Sequence, residues 1–178
     1  MKQIELSWNN VHGLANDICR QLTQTQWMPD YVVGITRGGA IPAVLISQYL
    51  GVRCEMLKVS LRDDGECESN LWMAEDAFGY TESAYPNTGY AEAKKNILIV
   101  DDINDTGRTL QWIKKDWEAS CLPNSEDWND VWHHNVQFAT LIENVSSEFK
   151  GVDYYGMEIN KLEDPQWIVF PWEDWWKK

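Results

Sequence analysis

Short apolar runs alternate along the chain with segments of helical periodicity. The apolar runs are too short for core helices and are bounded by polar or turn residues, which suits strands buried in a sheet. They predict strands at Tyr31–Ile35, Cys54–Val59, Ile97–Val100 and Val136–Ile142. Apolar positions that recur every three or four residues predict helices at Trp8–Trp27, Ala40–Leu50 and Thr109–Trp117. Ser7 or Asn9 is the expected N-cap of the first helix.

The order of these elements predicts the fold class. Strands that alternate with helices favour an α/β fold with a mainly parallel twisted sheet flanked by helices on both faces. The 178 residues suit a single domain, 1–178, with a substantial core. Ligands in such sheets bind outside the carboxyl ends of the strands. We therefore expect the segments that follow the strands to form the binding site.

The segment ILIVDDINDTGRTL carries the strongest chemical pattern in the chain. An apolar strand ends in Asp101 and Asp102, and a small-residue loop, Asp105–Thr109, leads into a predicted helix. Backbone amides at the start of a helix bind phosphate, because they lack intrahelical partners and lie at the positive end of the helix dipole. Paired carboxylates beside such a loop bind sugar hydroxyls or Mg²⁺. The pattern therefore predicts a sugar phosphate as the ligand.

A second strand, loop and helix begin at Tyr31. The loop, 36–39, reads TRGG and joins the strand to the helix that starts at Ala40. Glycine lets the backbone approach an anion closely, and the guanidinium of Arg37 is suited to paired hydrogen bonds with that anion. Because both loops follow strands of one parallel sheet, we expect them at the same edge.

Together, the two loops resemble the binding motifs of the type I phosphoribosyltransferases, closest to the xanthine-guanine and hypoxanthine (6-oxopurine) enzymes. The resemblance implies transfer of ribose 5-phosphate from phosphoribosyl pyrophosphate to a purine base (guanine, xanthine or hypoxanthine), with Mg²⁺ bound and pyrophosphate released. Asp101 and Asp102 would hold the ribose hydroxyls, directly or through Mg²⁺. The pyrophosphate would be bound by Arg37, Gly38 and Gly39, and the 5-phosphate by the loop amides with Thr106, Gly107, Arg108 and Thr109.

The resemblance also assigns residues to the acceptor base. Asp105 would face purine N7 and handle its proton as a general acid and base. In the segment WIVFPWE, Trp167 would stack on the base and Ile168 would offer backbone contacts. The family often has a cis peptide bond entering the Arg-Gly-Gly position, so Thr36–Arg37 is a candidate for one.

One region departs from the family pattern. The family usually has a lysine after the next strand that contacts the 6-oxo group, whereas this chain reads ATLIENV over 139–145. Lys150 and Lys161 are candidates to compensate, and Asn144 is a candidate amide donor. Two alternative functions stay open: a phosphoribosyltransferase with a different nitrogenous acceptor, and a non-catalytic regulator that senses phosphoribosyl pyrophosphate or a nucleotide.

Three segments lie outside the pattern of strands and helices. By resemblance, 62–96 would be a mobile flap that closes over the reacting centre. Lys58 and Arg62, at its start, would add positive charge there or are solvated surface cations. Residues 151–178 would form a small C-terminal hood. The segment 118–135, which contains two tryptophans and an acidic cluster, is expected to be a surface or oligomer-contact element.

Composition limits the partners. The formal net charge of −13 argues against nucleic-acid binding, which depends on neutralising phosphates. No stretch has the length and apolarity of a membrane span. The four cysteines are scattered without metal-type spacing, which suggests reduced thiols and a cytoplasmic location. The resemblance further implies a homodimer or homotetramer.

Overall fold

A computed structural model describes residues 2–61, 67–80 and 93–177. Its strands are β1 (Lys2–Glu5), β2 (Tyr31–Thr36), β3 (Arg53–Lys58), β4 (Ile97–Asn104), β5 (Val136–Asn144), β6 (Tyr154–Ile159) and β7 (Gln166–Val169). Its α-helices are α1 (Trp8–Thr25), α2 (Ala40–Leu50), α3 (Leu71–Phe78) and α4 (Arg108–Ser120), with short 3₁₀ helices at Glu126–Asp130 and Trp175–Lys177. The seven elements predicted from the sequence are all present.

Five parallel strands form the main sheet, in the order β3-β2-β4-β5-β6. This confirms the predicted α/β class. The chain passes from β2 to β3 on one side and returns to β4 on the other side of β2. The carboxyl ends of β2 and β4 therefore flank a topological switch point, where ligands bind in open α/β sheets.

Side chains on the two faces of the sheet enter separate cores. On β2, Tyr31, Val33 and Ile35 face a cluster that includes residues of α3 and α4, whereas Val32 faces a cluster that includes α1 and α2. Gly34 also faces α2, and a Cβ atom there would lie 2.8 Å from the Cβ atom of Ala43. Helices thus cover both faces, and the carboxyl edge of the strands is left for a site.

Several boundaries differ from the sequence prediction. β4 continues to Asn104 rather than ending at Val100, because its pairing with β5 extends to Glu143. Ser7, not Asn9, caps α1 in a reciprocal capping box. These differences are of a few residues, as expected where pairing and capping, rather than apolarity, set the ends.

The predicted hood, 151–178, contains two different structures. Its first strand, β6, is the outer strand of the main sheet, and only β7 belongs to a separate two-stranded sheet. The partner of β7 is the N-terminal strand β1, with Ile4 opposite Ile168. Neither β1 nor β6 has a continuous apolar run, so periodicity alone gave no signal for them.

The predicted flap includes a packed helix. Residues 67–80 contain α3, whose Met73, Ala74 and Ala77 are buried in the core. The buried carboxylate of Asp76 accepts a hydrogen bond from the hydroxyl of Tyr31 at 3.0 Å. The parts of the predicted flap at 62–66 and 81–92, including Arg62, lie outside the described residues.

The expectation of a surface element at 118–135 is wrong for its tryptophans. Trp128 and Trp132 are buried, and their rings stack with centroids 5.4 Å apart. Trp132 also packs against Trp117 of α4 and Phe138 of β5. Their large apolar surface is more stable in the core than in water.

No helix in the described ranges is long and apolar enough to span a membrane.

Candidate active site

The two predicted loops meet beyond the neighbouring strands β2 and β4. The Thr36–Arg37 peptide bond that leaves β2 is cis, as the resemblance implied. A Cβ atom on Gly38 would overlap the carboxylate of Asp102, and one on Gly39 would overlap the carbonyl oxygen of Val100. The backbone therefore leaves no room for a side chain at position 39, and a side chain at position 38 would displace the Asp102 carboxylate. The structure brings the Arg37 loop into direct contact with the acidic end of β4.

Asp101 and Asp102 lie on β4 itself, in its last four residues. The Asp101 carboxylate accepts a hydrogen bond from the amide of Asp102 at 2.9 Å, and the Asp102 carboxylate accepts one from the amide of Ile103 at 2.8 Å. Burial and the charge of Asp102 raise the pKa of Asp101 well above its ordinary range. Burial, with a contribution from Glu173, raises the pKa of Asp102 to about 6. In the ligand-free protein, ionisation of both carboxyl groups at once is therefore unfavourable. A bound cation or hydroxyl donors would stabilise the negative charge of the pair.

A tight loop, 105–107, connects β4 to α4. Gly107 has φ of 88° and precedes the first helical residue, Arg108. A Cβ atom on Gly107 would also overlap the backbone amide of Phe149. The side chains of Thr106 and Arg108 are exposed, and Thr109 is half-buried. The first-turn amides of α4 have no intrahelical partner and are suited to bind an anion.

A buried polar network supports this loop from behind. Asn104 is 2% exposed, and its Nδ2 donates to the Glu143 carboxylate at 3.0 Å and to the Phe149 carbonyl at 2.9 Å. Its Oδ1 accepts a hydrogen bond from the Ser147 hydroxyl at 2.9 Å. Burial raises the pKa of Glu143 to about 6, although the bond from Asn104 lowers it. Sequence reasoning missed this support, because Asn104 and Glu143 meet only through the register of β4 with β5.

Asp105 pairs with a lysine from another part of the chain. Lys161 Nζ lies 2.8 Å from Asp105 Oδ1, and it also lies 5.8 Å from the centre of the Trp167 ring. The Trp167 side chain is exposed, which leaves the indole available to a flat ligand. Asp105, Lys161 and Trp167 thus form one cluster beside the phosphate loop.

Asn144 does not have the role that the sequence suggested for it. Its side chain is buried, and its Nδ2 donates to the carbonyl oxygen of Asp105 at 2.8 Å. Its Oδ1 accepts a hydrogen bond from the amide of Lys161 at 3.0 Å. Asn144 therefore joins two backbone segments instead of offering an exposed amide. Lys150, the other candidate, is exposed and donates to the carbonyl oxygen of Val145.

The remaining predicted residues have different surroundings. Arg37 is exposed at the start of its loop, and Lys58 ends β3 opposite Thr36. Ile168 has a buried side chain in the core, so only its backbone is suited to ligand contact. Glu173, which sequence reasoning did not select, lies in the C-terminal tail and accepts a hydrogen bond from the amide of Phe170.

Replacing Asp102 with asparagine is expected to stabilise the protein without ligand. The folded-state pKa of about 6 exceeds the ordinary value of 3.8, so ionisation of Asp102 costs stability as the pH rises. The cost is absent below about pH 4, grows up to about pH 6 and is complete above it. We expect a gain of about 1–3 kcal/mol in the free energy of unfolding at pH 8. Urea unfolding at pH 4 and pH 8 measures the effect.

The exposed residue Asp130 offers a matched control for this substitution. Asp130→Asn should change stability by less than about 0.5 kcal/mol at both pH values. Equal gains from Asp102→Asn at pH 4 and pH 8 would contradict an origin in ionisation. A loss of stability at pH 8 would contradict it as well.

Comparisons with known proteins give concordant results. Residues 2–173 match the family model described as "Phosphoribosyl transferase domain". The xanthine-guanine phosphoribosyltransferase of Idiomarina loihiensis is 24% identical over 97% of this chain and 88% of its own length. The enzyme of the same name from Cereibacter sphaeroides is 26% identical over 97% of this chain and 87% of its own length. The crystal structure of a purine phosphoribosyltransferase from Pyrococcus horikoshii has a similar fold, with a TM-score of 0.64 and 23% identity. The match covers 98% of this chain and 96% of that chain.

Proposed function

Because the chain belongs to the phosphoribosyl transferase family, we propose that it transfers ribose 5-phosphate from phosphoribosyl pyrophosphate to a 6-oxopurine base, with release of pyrophosphate. The observation that carries the proposal is the contact of the Arg37 loop with Asp102 beside the amino end of α4. This junction brings together groups suited to pyrophosphate, ribose and phosphate. The names of the two curated relatives support guanine or xanthine as the acceptor, and hypoxanthine has the same 6-oxo group.

In this proposal, the donor spans both loops. The backbone of Gly38 and Gly39, with the guanidinium of Arg37, would bind the pyrophosphate. The amides of 105–109, with the hydroxyls of Thr106 and Thr109, would bind the 5-phosphate. Lys58, beside Thr36 at the sheet edge, would add positive charge near the pyrophosphate. These local groups would offset the acidic character of the chain as a whole.

The carboxylate pair fits a magnesium ion carried by the substrate. In the described residues, no cluster of three or more histidine, cysteine or acidic side chains could hold a metal alone. Mg²⁺ is commonly bound by one or two carboxylates together with substrate phosphate oxygens, and the raised pKa values of Asp101 and Asp102 indicate that a cation would relieve their repulsion. When bound, Mg²⁺ would neutralise charge on the departing pyrophosphate.

The residues of the site fit a reaction without a covalent enzyme intermediate. Cleavage of the bond between ribose C1 and pyrophosphate develops positive charge on the ribosyl group, which carboxylates near the ribose stabilise. Asp105 would accept the proton from purine N7 as N9 forms the bond to ribose C1 and the bond from C1 to pyrophosphate breaks. Trp167 would hold the flat base by stacking, with backbone groups of Ile168 at its edge.

Two further properties belong to this proposal. We propose a cytoplasmic enzyme, which is consistent with four free cysteines in the structure. We also propose a homodimer or homotetramer, which sedimentation analysis would establish.

A turnover assay tests the function. Purified protein with phosphoribosyl pyrophosphate and Mg²⁺ is incubated with guanine, xanthine, hypoxanthine, adenine and orotate, and nucleotide and pyrophosphate are measured. We expect nucleotide from at least one 6-oxopurine and less from adenine or orotate. Turnover only with a base that lacks a 6-oxo group would indicate the alternative acceptor. Binding of phosphoribosyl pyrophosphate without turnover of any base would indicate a ligand-sensing regulator.

A further inference from the structure

Lys161 reaches the proposed base site from a segment that has no motif. It lies between β6 and β7, and its ammonium group contacts both the Asp105 carboxylate and the face of the Trp167 ring. Its side chain is 18% exposed, and that of Asp105 is 33% exposed. Partial burial strengthens the ion pair compared with one in open water. The cation therefore has a defined position between a carboxylate and an exposed indole.

The backbone around this ion pair is also fixed. Asn144 accepts a hydrogen bond from the Lys161 amide and donates one to the Asp105 carbonyl oxygen. Asn144 is 4% exposed and stands at the end of β5, so the main sheet anchors both partners. A surface ion pair formed by chance would not need such a buried connection.

The pair presents two complementary hydrogen-bonding groups side by side. The ionised carboxylate of Asp105 only accepts hydrogen bonds, and the ammonium of Lys161 only donates them. Asp105 Oδ1 holds one of the three donor positions of Lys161, and among the described residues Oδ2 and the other N–H groups have no hydrogen-bond partner, so they are suited to bind a ligand. A 6-oxopurine that is protonated on N7 offers a donor at N7 next to an acceptor at O6. Adenine instead presents an amino donor at the 6 position, which would oppose the ammonium.

We propose that Lys161 binds the 6-oxo oxygen of the purine and, with Asp105, determines the preference for 6-oxopurines over adenine. This inference rests on the proposed function, because Asp105 and Trp167 define the base site there. The specificity group thus comes from the β6–β7 connection, and Asn144 acts as the positioning residue that fixes it beside Asp105. Met replaces the lysine stem without its charge, so Lys161→Met tests the ammonium itself.

The first experiment measures selectivity in turnover. Lys161→Met is expected to lower kcat/KM for hypoxanthine about 10- to 100-fold, the usual loss for a hydrogen bond with a charged partner. The KM for phosphoribosyl pyrophosphate should stay within about twofold, because Lys161 contacts Asp105 and Trp167, the residues proposed to bind the acceptor base. The hypoxanthine-to-adenine ratio of kcat/KM should fall. Lys161→Arg, which keeps the charge, should recover part of the loss.

Lys114→Met is the matched control, since Lys114 also lies over an indole, with Nζ 5.3 Å from the Trp132 ring centre. It should leave both the hypoxanthine kcat/KM and the selectivity within about twofold of the wild type. Equal loss with hypoxanthine and adenine in Lys161→Met, or no loss with either, would overturn the inference. A large rise in the KM for phosphoribosyl pyrophosphate would point to structural damage and would also overturn it.

A binding experiment separates this inference from the proposed function. Calorimetry with the nucleotides inosine monophosphate and adenosine monophosphate requires no turnover. Lys161→Met should weaken the binding of inosine monophosphate about 10-fold or more. The affinity for adenosine monophosphate should be unchanged or higher. Absence of turnover in the wild type would refute the proposed function while this nucleotide comparison still reports on Lys161. Wild-type turnover with equal nucleotide losses in Lys161→Met would refute only the role of Lys161.

Discussion

Replacing Asp105 with asparagine is expected to lower kcat for 6-oxopurine bases by about 10²- to 10⁴-fold, the range for loss of a general acid or base. Asparagine keeps the shape of the side chain but cannot accept the N7 proton. The Asp105 carbonyl oxygen, bound by Asn144 at 2.8 Å, would be unaffected because it belongs to the backbone. Steady-state kinetics with saturating phosphoribosyl pyrophosphate measures the loss.

Whether the loss of activity in Asp105→Asn appears in kcat or in KM identifies its cause. Loss of the proton acceptor should appear in kcat, whereas the KM for phosphoribosyl pyrophosphate should change by less than about threefold. Loss of the ion pair with Lys161 would also weaken binding of the purine. The fold-loss in kcat/KM for the double variant, Asp105→Asn with Lys161→Met, should therefore be smaller than the product of the two single fold-losses. An Asp105→Asn enzyme within about threefold of wild-type kcat would refute the proton role. Asp130→Asn serves as the control with an exposed carboxylate.

Replacing Gly39 with alanine is expected to damage both the fold and the donor site. The added methyl group would overlap the Val100 carbonyl oxygen and lie 2.8 Å from that of Ile35. Both atoms are backbone atoms of the central strands and have little freedom to move. We expect a loss of about 1–3 kcal/mol in the free energy of unfolding. A shift of the loop of about 1 Å would lower kcat/KM for phosphoribosyl pyrophosphate about 10²-fold. Urea unfolding and donor kinetics provide the measurements.

Gly13 offers a control with the same chemical change. It lies within α1, and a Cβ atom there would have no neighbour within 4 Å. Gly13→Ala should therefore raise stability by about 0.5–1 kcal/mol, because alanine favours the helix, and leave the kinetics unchanged. If Gly39→Ala were as stable and active as Gly13→Ala, the steric explanation of the loop contact would be wrong.

Local patterns were sufficient for the central fold. The runs at β2, β4 and β5 are mainly apolar and are buried on both faces, and the intervening segments have helical periodicity, so the parallel sheet was predictable. The strands β1 and β6 were missed because a polar or half-exposed edge strand is stabilised by its pairing partner rather than by its own apolarity. The helix α3 was missed because it is short and lies in a segment rich in polar residues.

The sequence by itself determined the donor motifs, because each is a contiguous strand, loop and helix start whose chemistry follows from neighbouring residues. Asp101, Asp102, Arg37 and the glycines were found in this way. Only the tertiary structure decided which residues stand opposite Asp105. Lys161 is 56 positions away along the chain, yet its ammonium lies 2.8 Å from that carboxylate. Such a contact depends on the sheet register and on the path of the β6–β7 connection, neither of which any local pattern encodes.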